Sequence, residues 1–404
     1  MIVAWFSFFP IEWLPDLPPR LRDLPRQHPA TWQRVLLEQL EGNPEIQLHV
    51  IVLRKHFERS ESFERNGVKF HLVKTVGGMR APSFFWLDTW LIRRVLKRIQ
   101  PDVVHAWGTE SGAALVAARL AYPSIVTMQG LLTWLAKVVP LDRYHRFSAF
   151  LEDYSLRQAR LVTAESSFAI RYLKERHPQL DLRQVEHSPL PLFHHVQRRP
   201  QSHPLRFLFV GGFTYLKGVD VMLRALDQLK DTVAFELVVV GHTDPGVVDG
   251  VKAQVSAEVW QRVSFRGSLT AEQIADELAV ASLFIYPTRC DNSPNAVKEA
   301  VVAGVPVVAS AIGGVVDYVI PGKNGVLFRS DDVPDCLRAI KEALDHPLFS
   351  RGMVEPEALN EMRAYLSATT MASRFLDLYR LAANPVAAAP SKTLSKNRPD
   401  SRLS

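Results

Sequence analysis

Short apolar runs alternate with amphipathic segments along almost the whole chain, and this alternation constrains the fold more than any other feature. Runs of roughly four to eight apolar residues bounded by turn residues predict buried strands, and the longer segments between them carry apolar residues at helical spacing. Strands that alternate with helices form a parallel sheet covered on both faces. The sequence therefore predicts the α/β fold class with doubly wound sheets.

The alternation occurs in two series, which are separated by a stretch rich in proline and histidine at 188–204. The predicted strands are 2–8, 48–53, 68–73, 103–107, 124–127 and 161–164 in the first series and 205–210, 235–240, 263–265, 281–286, 307–309 and 326–328 in the second. The predicted helices include 30–40, 84–99, 144–157 and 166–176 in the first series and 219–229, 271–280, 295–304, 333–344 and 359–382 in the second. Two Rossmann-like domains of similar size that face each other across a cleft explain this pattern, and such a cleft is the expected place for ligands.

The domain boundaries follow from the same pattern. We expect an N-terminal Rossmann-like domain at 1–197 and a C-terminal Rossmann-like domain at 205–365. The segment 366–384 is predicted to be a C-terminal helix that packs back on the N-terminal domain. The remaining residues, 385–404, are rich in Ala, Pro, Ser and Lys, so we expect a disordered tail.

Composition narrows the possible classes of protein. A chain of 404 residues exceeds the size of a usual single domain, and 47% apolar with 22% charged residues is typical of a folded globular protein. The net charge of +6 fits anionic ligands or an anionic membrane face, and no nucleic-acid-binding motif is present. The two cysteines, Cys290 and Cys336, have no metal-ligand spacing and imply no disulfide framework. The apolar N-terminus is interpreted as a buried strand, so a cytoplasmic protein is expected.

The stretch 288–308 predicts an anion-binding site. It follows a predicted strand, begins with turn residues at 291–294, continues as a helix and ends with glycine and proline before another strand. A helix N-terminus at the carboxyl end of a strand presents backbone N–H groups and a positive dipole to an anion. Asp291 and Glu299 flank the helix start, and a carboxylate at Glu299 could accept hydrogen bonds from a ribose diol. The alternative is a capped helix with an exposed glutamate.

Further loops of the second series suit the same ligand. Gly211 and Gly212 follow a predicted strand, where missing side chains let a phosphate approach the backbone, and Lys217 adds a cation. The backbone N–H groups of the turn and helix start come from Asn292, Ser293, Asn295 and Ala296. Each feature has a structural alternative, such as a tight turn or a solvated helix start. Together they indicate a site for a nucleotide diphosphate joined to a hydroxyl-rich sugar.

Three stretches carry a resemblance to a known family. FVGGFTYLKGVDVMLRAL at 209–226, DNSPNAVKEAVVAGVPVVAS at 291–310 and GGVVDYVIPGKNGVLF at 313–328 resemble the C-terminal domain of GT-B glycosyltransferases of glycosyltransferase family 4. PDVVHAWGTESG at 101–112 and VTMQG at 126–130 look like the N-terminal domain of that family. The resemblance extends from residue 1 to about 384, and it is more specific in the second half.

The resemblance implies roles for individual residues. The family's two acids separated by seven residues fall on Asp291, which would face the donor sugar, and on Glu299, which would bind the donor ribose. Lys217 matches the lysine of the family's basic pair, whereas Gly212 stands where the family has an arginine. Gln129 stands where the family often has a histidine. The catalytic residues are thus predicted to be Lys217, Asp291 and Gln129, with no bound metal or other cofactor.

Two features of the first half concern the acceptor. His105 and Glu110 are predicted to lie at a strand end facing the cleft and are candidate acceptor contacts; the alternative is a structural polar pair. The predicted helix 84–99 carries aromatic residues beside basic ones, which suits peripheral contact with an anionic membrane. A core helix with a solvated face is the alternative for that segment.

The predicted function is a retaining glycosyltransferase that moves a sugar from a nucleotide-diphosphate sugar to a glycan, lipid-linked or other hydroxyl acceptor. The departures at Gly212 and Gln129 leave open a second hypothesis, a catalytically degenerate protein that binds a nucleotide sugar or a partner transferase. A third hypothesis is another GT-B enzyme, such as a nucleotide-sugar epimerase. The predicted partners are a nucleotide sugar and an acceptor, without nucleic acid.

Overall fold

The computed structural model describes residues 1–7 and 9–384, without the side chain of Ser7. The strands are β1 Ile2–Ser7, β2 Gln47–Arg54, β3 Glu61–Arg65, β4 Val68–Lys74, β5 Val103–Trp107, β6 Ser124–Thr127, β7 Leu161–Ala164, β8 Asp181–Gln184, β9 Leu205–Val210, β10 Phe235–Val240, β11 Val263–Gly267, β12 Leu283–Tyr286, β13 Val307–Ser310 and β14 Gly325–Phe328. The helices are α1 Thr31–Leu40, α2 Trp86–Ile99, α3 Ala113–Ala118, α4 Leu132–Val138, α5 Arg143–Leu156, α6 Ser167–Arg176, α7 Val219–Asp227, α8 Pro245–Lys252, α9 Ala257–Gln261, α10 Ala271–Val280, α11 Asn295–Ala303, α12 Val315–Tyr318, α13 Val333–Asp345, α14 Pro356–Tyr365 and α15 Ala368–Ala383. Residue 8 of the first predicted strand and the predicted tail 385–404 lie outside the described residues.

The first domain contains an eight-stranded sheet with the order β3-β4-β2-β1-β5-β6-β7-β8. All neighbouring strands are parallel except β3, which pairs antiparallel with β4 at one edge. The central strands are apolar because helices cover both faces; every residue of β5 is buried. The carboxyl ends of β2, β4, β5, β6 and β7 therefore meet along one edge of the sheet.

The second domain contains a six-stranded parallel sheet with the order β11-β10-β9-β12-β13-β14. Strand β9 pairs with both β10 and β12, so the loops that follow these three strands lie side by side. Helix α11 connects β12 to β13 and has a buried face that includes Val297, Ala300 and Val301. The two doubly wound α/β sheets predicted from the sequence are confirmed.

The last helix returns to the first domain. Phe375 and Tyr379 of α15 are fully buried in the core that contains Trp5 of β1. The indole Nε1 of Trp5 donates a hydrogen bond of 2.8 Å to the hydroxyl of Tyr379. The core of the N-terminal domain is thus completed by a helix that follows the C-terminal domain in the sequence.

A second contact between the domains lies at the carboxyl ends of β7 and β8. The backbone N–H of Ser167 donates to a carboxylate oxygen of Asp317 in α12 at 2.7 Å, and Ser166 Oγ donates to Asn292 Oδ1 at 2.9 Å. The amide of Gln184 also donates to Asp317, at 3.2 Å. These bonds fix the turn before α11 against the first sheet.

Candidate active site

The loops after β9 and β10 approach each other through glycine. A Cβ atom on Gly241, which has a φ of +132°, would lie 2.1 Å from the carbonyl oxygen of Gly211. Only a residue without a side chain permits this approach. A side chain at Gly212 would meet a different neighbour, because its Cβ would lie 2.4 Å from the imidazole of His242. The exposed His242 ring therefore occupies the space beside Gly212. Gly212 stands at the position where the family that the sequence resembles has an arginine.

Lys217 and Asp291 form an ion pair at this edge of the sheet. The Lys217 ammonium lies 2.5 Å from Asp291 Oδ2, and the Tyr286 hydroxyl donates to the same oxygen at 2.8 Å. Burial acts to lower the pKa of Lys217, but Tyr286 and Asp291 outweigh it and hold the pKa above its usual value. Lys217 therefore remains a cation at neutral pH, and the structure brings together two of the three predicted catalytic residues.

Helix α11 begins without a side-chain cap. Its N-cap residue is Pro294, and within the described residues the N–H groups of Asn295 and Ala296 donate to no carbonyl or side-chain acceptor. Uncapped N–H groups at a helix start attract an anion. The start of α11 follows Asp291 by four residues, so these donors and the Lys217 ammonium belong to the same loop region.

Glu299 lies in the second turn of α11 and is partly exposed. Its carboxylate makes no hydrogen bond or ion pair with any residue in 1–7 and 9–384. Burial raises the pKa of Glu299 to about 7, although the neighbouring Lys298 opposes this shift. A half-buried carboxylate without a protein partner is suited to accept hydrogen bonds from a ligand.

The side chains of Asn292 and Ser293 face the first domain. Ser293 Oγ donates to Glu186 Oε1 at 2.7 Å, and Asn292 accepts from Ser166 as described above. The backbone N–H of Gly314 donates to the carbonyl of Asn292 at 2.7 Å. Ser293 Oγ and Asn292 Oδ1 are thus engaged within the protein, whereas Asn292 Nδ2 is buried and has no partner among the described residues.

Sequence reasoning did not identify a buried charge cluster behind the turn. The Lys298 ammonium is fully buried and lies 3.1 Å from Glu165 Oε2, 3.1 Å from Glu186 Oε1 and 3.1 Å from the carbonyl of His187. Glu165 and Glu186 come from the first domain, so this cluster joins the two domains. The sequence feature that could have indicated this cluster was the position of Lys298 on the apolar face of α11, between Val297 and Val301.

The first-domain residues Gln129 and Glu110 lie close together. The Glu110 carboxylate accepts hydrogen bonds from the backbone N–H groups of Thr109 and Gly130, both at 2.9 Å. Burial raises the pKa of Glu110, and Glu152 adds to this effect. The side-chain nitrogen of Gln129 is buried and has no partner among the described residues. Gln129 follows β6, and β6 is the neighbour of β7 in the sheet. Ser166, which follows β7, contacts Asn292 in the turn before α11.

The prediction that His105 contacts the acceptor is wrong. His105 lies inside β5 with no exposed surface. Its Nδ1 is 2.8 Å from the Tyr379 hydroxyl and its Nε2 is 2.6 Å from Thr127 Oγ1, so both ring nitrogens are satisfied in the core. The structural alternative applies to His105, whereas Glu110 lies at the strand end that the prediction required.

Comparison with known proteins places this geometry in a family. Residues 204–346 match the profile of glycosyl transferases group 1, and residues 33–189 match that of glycosyltransferase family 4. The chain is 26% identical over 267 residues to a GDP-mannose-dependent alpha-mannosyltransferase of Corynebacterium glutamicum, with 62% of this chain and 61% of the relative covered. It is 32% identical over 333 residues to a sulfoquinovosyl transferase of Arabidopsis thaliana, with 74% and 61% covered. The chain thus spans about three fifths of the length of these two relatives.

Solved structures agree in fold. Sucrose-phosphate synthase from Thermosynechococcus elongatus superposes with a TM-score of 0.75 at 17% identity, covering 94% of this chain and 98% of that one. The Anabaena protein HepE in complex with UDP gives a TM-score of 0.67 at 14% identity, covering 94% and 99%. The architecture is that of the GT-B glycosyltransferases. Within that class, the chain belongs to glycosyltransferase family 4.

Proposed function

We propose that the chain is a retaining glycosyltransferase that uses a nucleotide-diphosphate sugar as donor and a hydroxyl group as acceptor. The observation that carries this proposal is the arrangement around α11. An uncapped helix start, the Lys217 cation and the unpartnered Glu299 carboxylate lie along one sheet edge. A diphosphate, a ribose and a sugar require this combination of donors and acceptors.

The protein residues would act mainly through electrostatics. As the bond between the anomeric carbon and the phosphate oxygen breaks, negative charge develops on the departing diphosphate. Lys217 and the N–H groups of α11 would stabilise that charge, so no bound metal is required. Glu299 would hold the ribose, and Asp291, fixed by Lys217 and Tyr286, would orient hydroxyl groups of the donor sugar. Gln129 and Glu110 would face the acceptor.

Lys217→Ala is expected to lower turnover by about 100-fold, since one cation of the leaving-group site is lost. The experiment measures release of nucleoside diphosphate from UDP-, GDP- and ADP-sugars in the presence of candidate acceptors. Lys341→Ala is the matched control, because Lys341 is exposed on α13. Equal rates in the Lys217 variant and the parent would contradict the assigned role. Nucleotide binding without release of nucleoside diphosphate would instead support a degenerate nucleotide-sugar-binding protein, and absence of both would leave only the partner of another transferase.

The relatives inform the choice of donor. The mannosyltransferase of Corynebacterium glutamicum is described as GDP-mannose-dependent, and HepE has been solved with UDP and with UDP-glucose. We therefore include both bases in the first screen. Ligand binding to the native state raises its melting temperature, so a thermal-shift series with UDP, GDP and ADP identifies the base before any acceptor is known.

We further propose that the protein works in the cytoplasm and contacts an anionic membrane surface through α2. Trp86 and Trp90 are 57% and 54% exposed on this helix. The guanidinium of Arg119 lies 4.2 Å from the Trp86 ring centroid, and that of Arg94 lies 4.7 Å from the Trp90 ring centroid. Indole rings beside cations suit the headgroup region of an anionic bilayer. Among the described residues, no helix has the length and apolarity to span a membrane.

The membrane proposal predicts that Trp86→Ser with Trp90→Ser abolishes most sedimentation with vesicles containing phosphatidylglycerol. Each indole that inserts into the bilayer contributes on the order of 2 kcal/mol to binding, so removal of both would change partitioning by more than 100-fold. Met353→Ser, which removes an exposed apolar side chain from the second domain, is the control. Equal sedimentation of the double variant and the parent, or no preference for anionic over neutral vesicles, would refute the contact.

A further inference from the structure

A cavity of about 230 Å³ lies at the carboxyl edge of the first sheet, beyond the ends of β2 and β4. Its lining is formed by the last residues of β2 and by residues that follow β2 and β4, with contributions from the loops before α1 and after β5. The side chains that matter here are Arg54, Lys55, His56, Thr75 and Arg80, with Gly77, Gly78 and Ser111 between them. We refer to this cavity as the Lys55 pocket.

The Lys55 pocket is lined by four basic residues and by no acidic residue. Two of the four are neutralised outside the cavity: Arg54 pairs with Glu12 at 2.7 Å, and Arg80 pairs with Asp88 at 2.6 Å. Lys55 is exposed and forms no ion pair with any described residue. The local charge is therefore positive and unbalanced, and the cavity favours an anion.

Two local features support a binding site rather than a chance cluster of lysine and arginine. Thr75 lines the pocket and is 6% exposed as a residue, and its buried hydroxyl oxygen has no hydrogen-bond partner among the described residues. Buried polar atoms are usually satisfied, so this hydroxyl is available to a ligand oxygen. Gly77 makes room for the Lys55 side chain, since a Cβ atom there would lie 2.9 Å from Lys55 Cδ.

The position of the pocket relates it to the proposed acceptor site. An adjacent cavity of about 220 Å³ shares Gly78, Arg80 and Ser111 with it and is also lined by Glu110. The ends of β2 and β5 are separated by β1 and lie roughly 10 Å apart, the width of two strand spacings, and Ser111 of the Glu110 loop lines the Lys55 pocket itself. An extended acceptor could thus occupy both cavities.

We propose that the Lys55 pocket binds a phosphate group of the acceptor. This inference rests on the proposed function and specifies its substrate class: an acceptor that carries a phosphate group besides the hydroxyl that receives the sugar. Lys55 and Arg80 would supply charged donors, and Thr75 and Ser111 would supply hydroxyl groups. The phosphate would belong either to a water-soluble sugar phosphate or to a lipid phosphate.

The test is calorimetric titration of the full chain with glucose 6-phosphate, with dodecyl phosphate in neutral micelles, and with glucose as the uncharged probe. At least one phosphate probe is expected to bind at least ten-fold more tightly than glucose. Binding of glucose 6-phosphate indicates a soluble source, and binding of dodecyl phosphate alone indicates a lipid source. Failure of both probes to bind, or equal affinity for glucose and its phosphate without a dodecyl phosphate signal, overturns the proposal.

Variants locate the bound phosphate. Lys55→Gln is expected to weaken the phosphate probe by about ten-fold, whereas Lys341→Gln, which removes an exposed charge from α13 of the second domain, leaves it unchanged. A probe whose binding is lost in Lys217→Ala and retained in Lys55→Gln occupies the donor site, and this result overturns the proposal.

Titration with UDP separates the two hypotheses. Retention of UDP affinity in Lys55→Gln with loss of the phosphate probe supports both assignments. If the parent binds no nucleotide of the panel but binds phosphate in a Lys55-dependent way, the proposed function and the acceptor assignment fail, and only the phosphate-binding property of the pocket stands. If nucleotides bind and the phosphate probes do not, the pocket assignment fails alone.

Discussion

Glu299→Gln is expected to weaken donor binding by about 100-fold. The carboxylate has no protein partner, and two hydrogen bonds from a ribose diol to a charged acceptor are worth about 3 kcal/mol together. Glutamine keeps the shape of the side chain but loses its charge and one acceptor. The measurement is the dissociation constant of the nucleotide that stabilises the parent chain.

The matched control for this variant is Glu361→Gln. Glu361 is exposed on α14, and its substitution removes the same charge. Its affinity for the nucleotide should equal that of the parent. A Glu299→Gln variant that binds the nucleotide as tightly as Glu361→Gln would remove Glu299 from the donor site.

The pH dependence gives a second readout for Glu299. Burial raises the pKa of its carboxyl to about 7, against the opposing charge of Lys298. Below that value the group is protonated and accepts hydrogen bonds poorly; above it the carboxylate is present. Donor affinity in the parent should therefore increase between about pH 6 and pH 8, and Glu299→Gln should lose that part of the increase. An identical profile in parent and variant would contradict the interpretation.

Lys298→Met is expected to reduce the free energy of unfolding by about 3–5 kcal/mol, because it leaves the buried Glu186 without its cation and the buried Glu165 with His187 alone. Burial favours the neutral form of Glu165, but His187 and Lys298 outweigh it and lower its pKa to about 2. Burial raises the pKa of Glu186 to about 7, with Lys298 opposing and Glu165 adding to the shift. The charged groups of the cluster therefore depend on one another. Urea denaturation measures the free energy of unfolding that is lost when Lys298 is replaced.

Lys323→Met is the control for this variant. Lys323 pairs with Glu355 at 3.7 Å, with side chains 54% and 36% exposed, and such a surface pair contributes less than about 1 kcal/mol. Adding Glu165→Gln and Glu186→Gln to Lys298→Met should recover part of the lost stability, since the unpaired charges are then removed. A loss in Lys298→Met no larger than in Lys323→Met would show that the buried cluster has little energetic role.

The residues proposed for the donor site could be selected from the sequence because their signals are local. Gly211, Lys217, Asp291 and Glu299 each follow a recognisable strand or open a recognisable helix, and parallel strands place such loops on one edge. The structure brings Lys217 and Asp291 into contact, which the spacing of 74 residues between them does not reveal. The partners of Lys298 come from a different domain. Its apolar neighbours in the sequence could therefore have indicated that the lysine is buried, but not which carboxylates pair with it.

The errors of the sequence analysis have the same origin. His105 stands in an apolar strand, and its partner Tyr379 lies 274 residues away, so the pattern could not distinguish a satisfied core histidine from a cleft residue. Strands β3 and β8 were missed because they are edge strands with exposed, charged sequences. Edge strands commonly carry such residues, which hide them from a search for apolar runs.

The return of α15 to the first domain has a consequence for biosynthesis. A ribosome completes the N-terminal domain of most two-domain chains first, and that domain then folds while the rest is still being made. Here the interior around Trp5 stays open until Phe375 and Tyr379 have emerged, after the whole C-terminal sheet. The domain that is synthesised first is therefore the domain whose hydrophobic core is completed last.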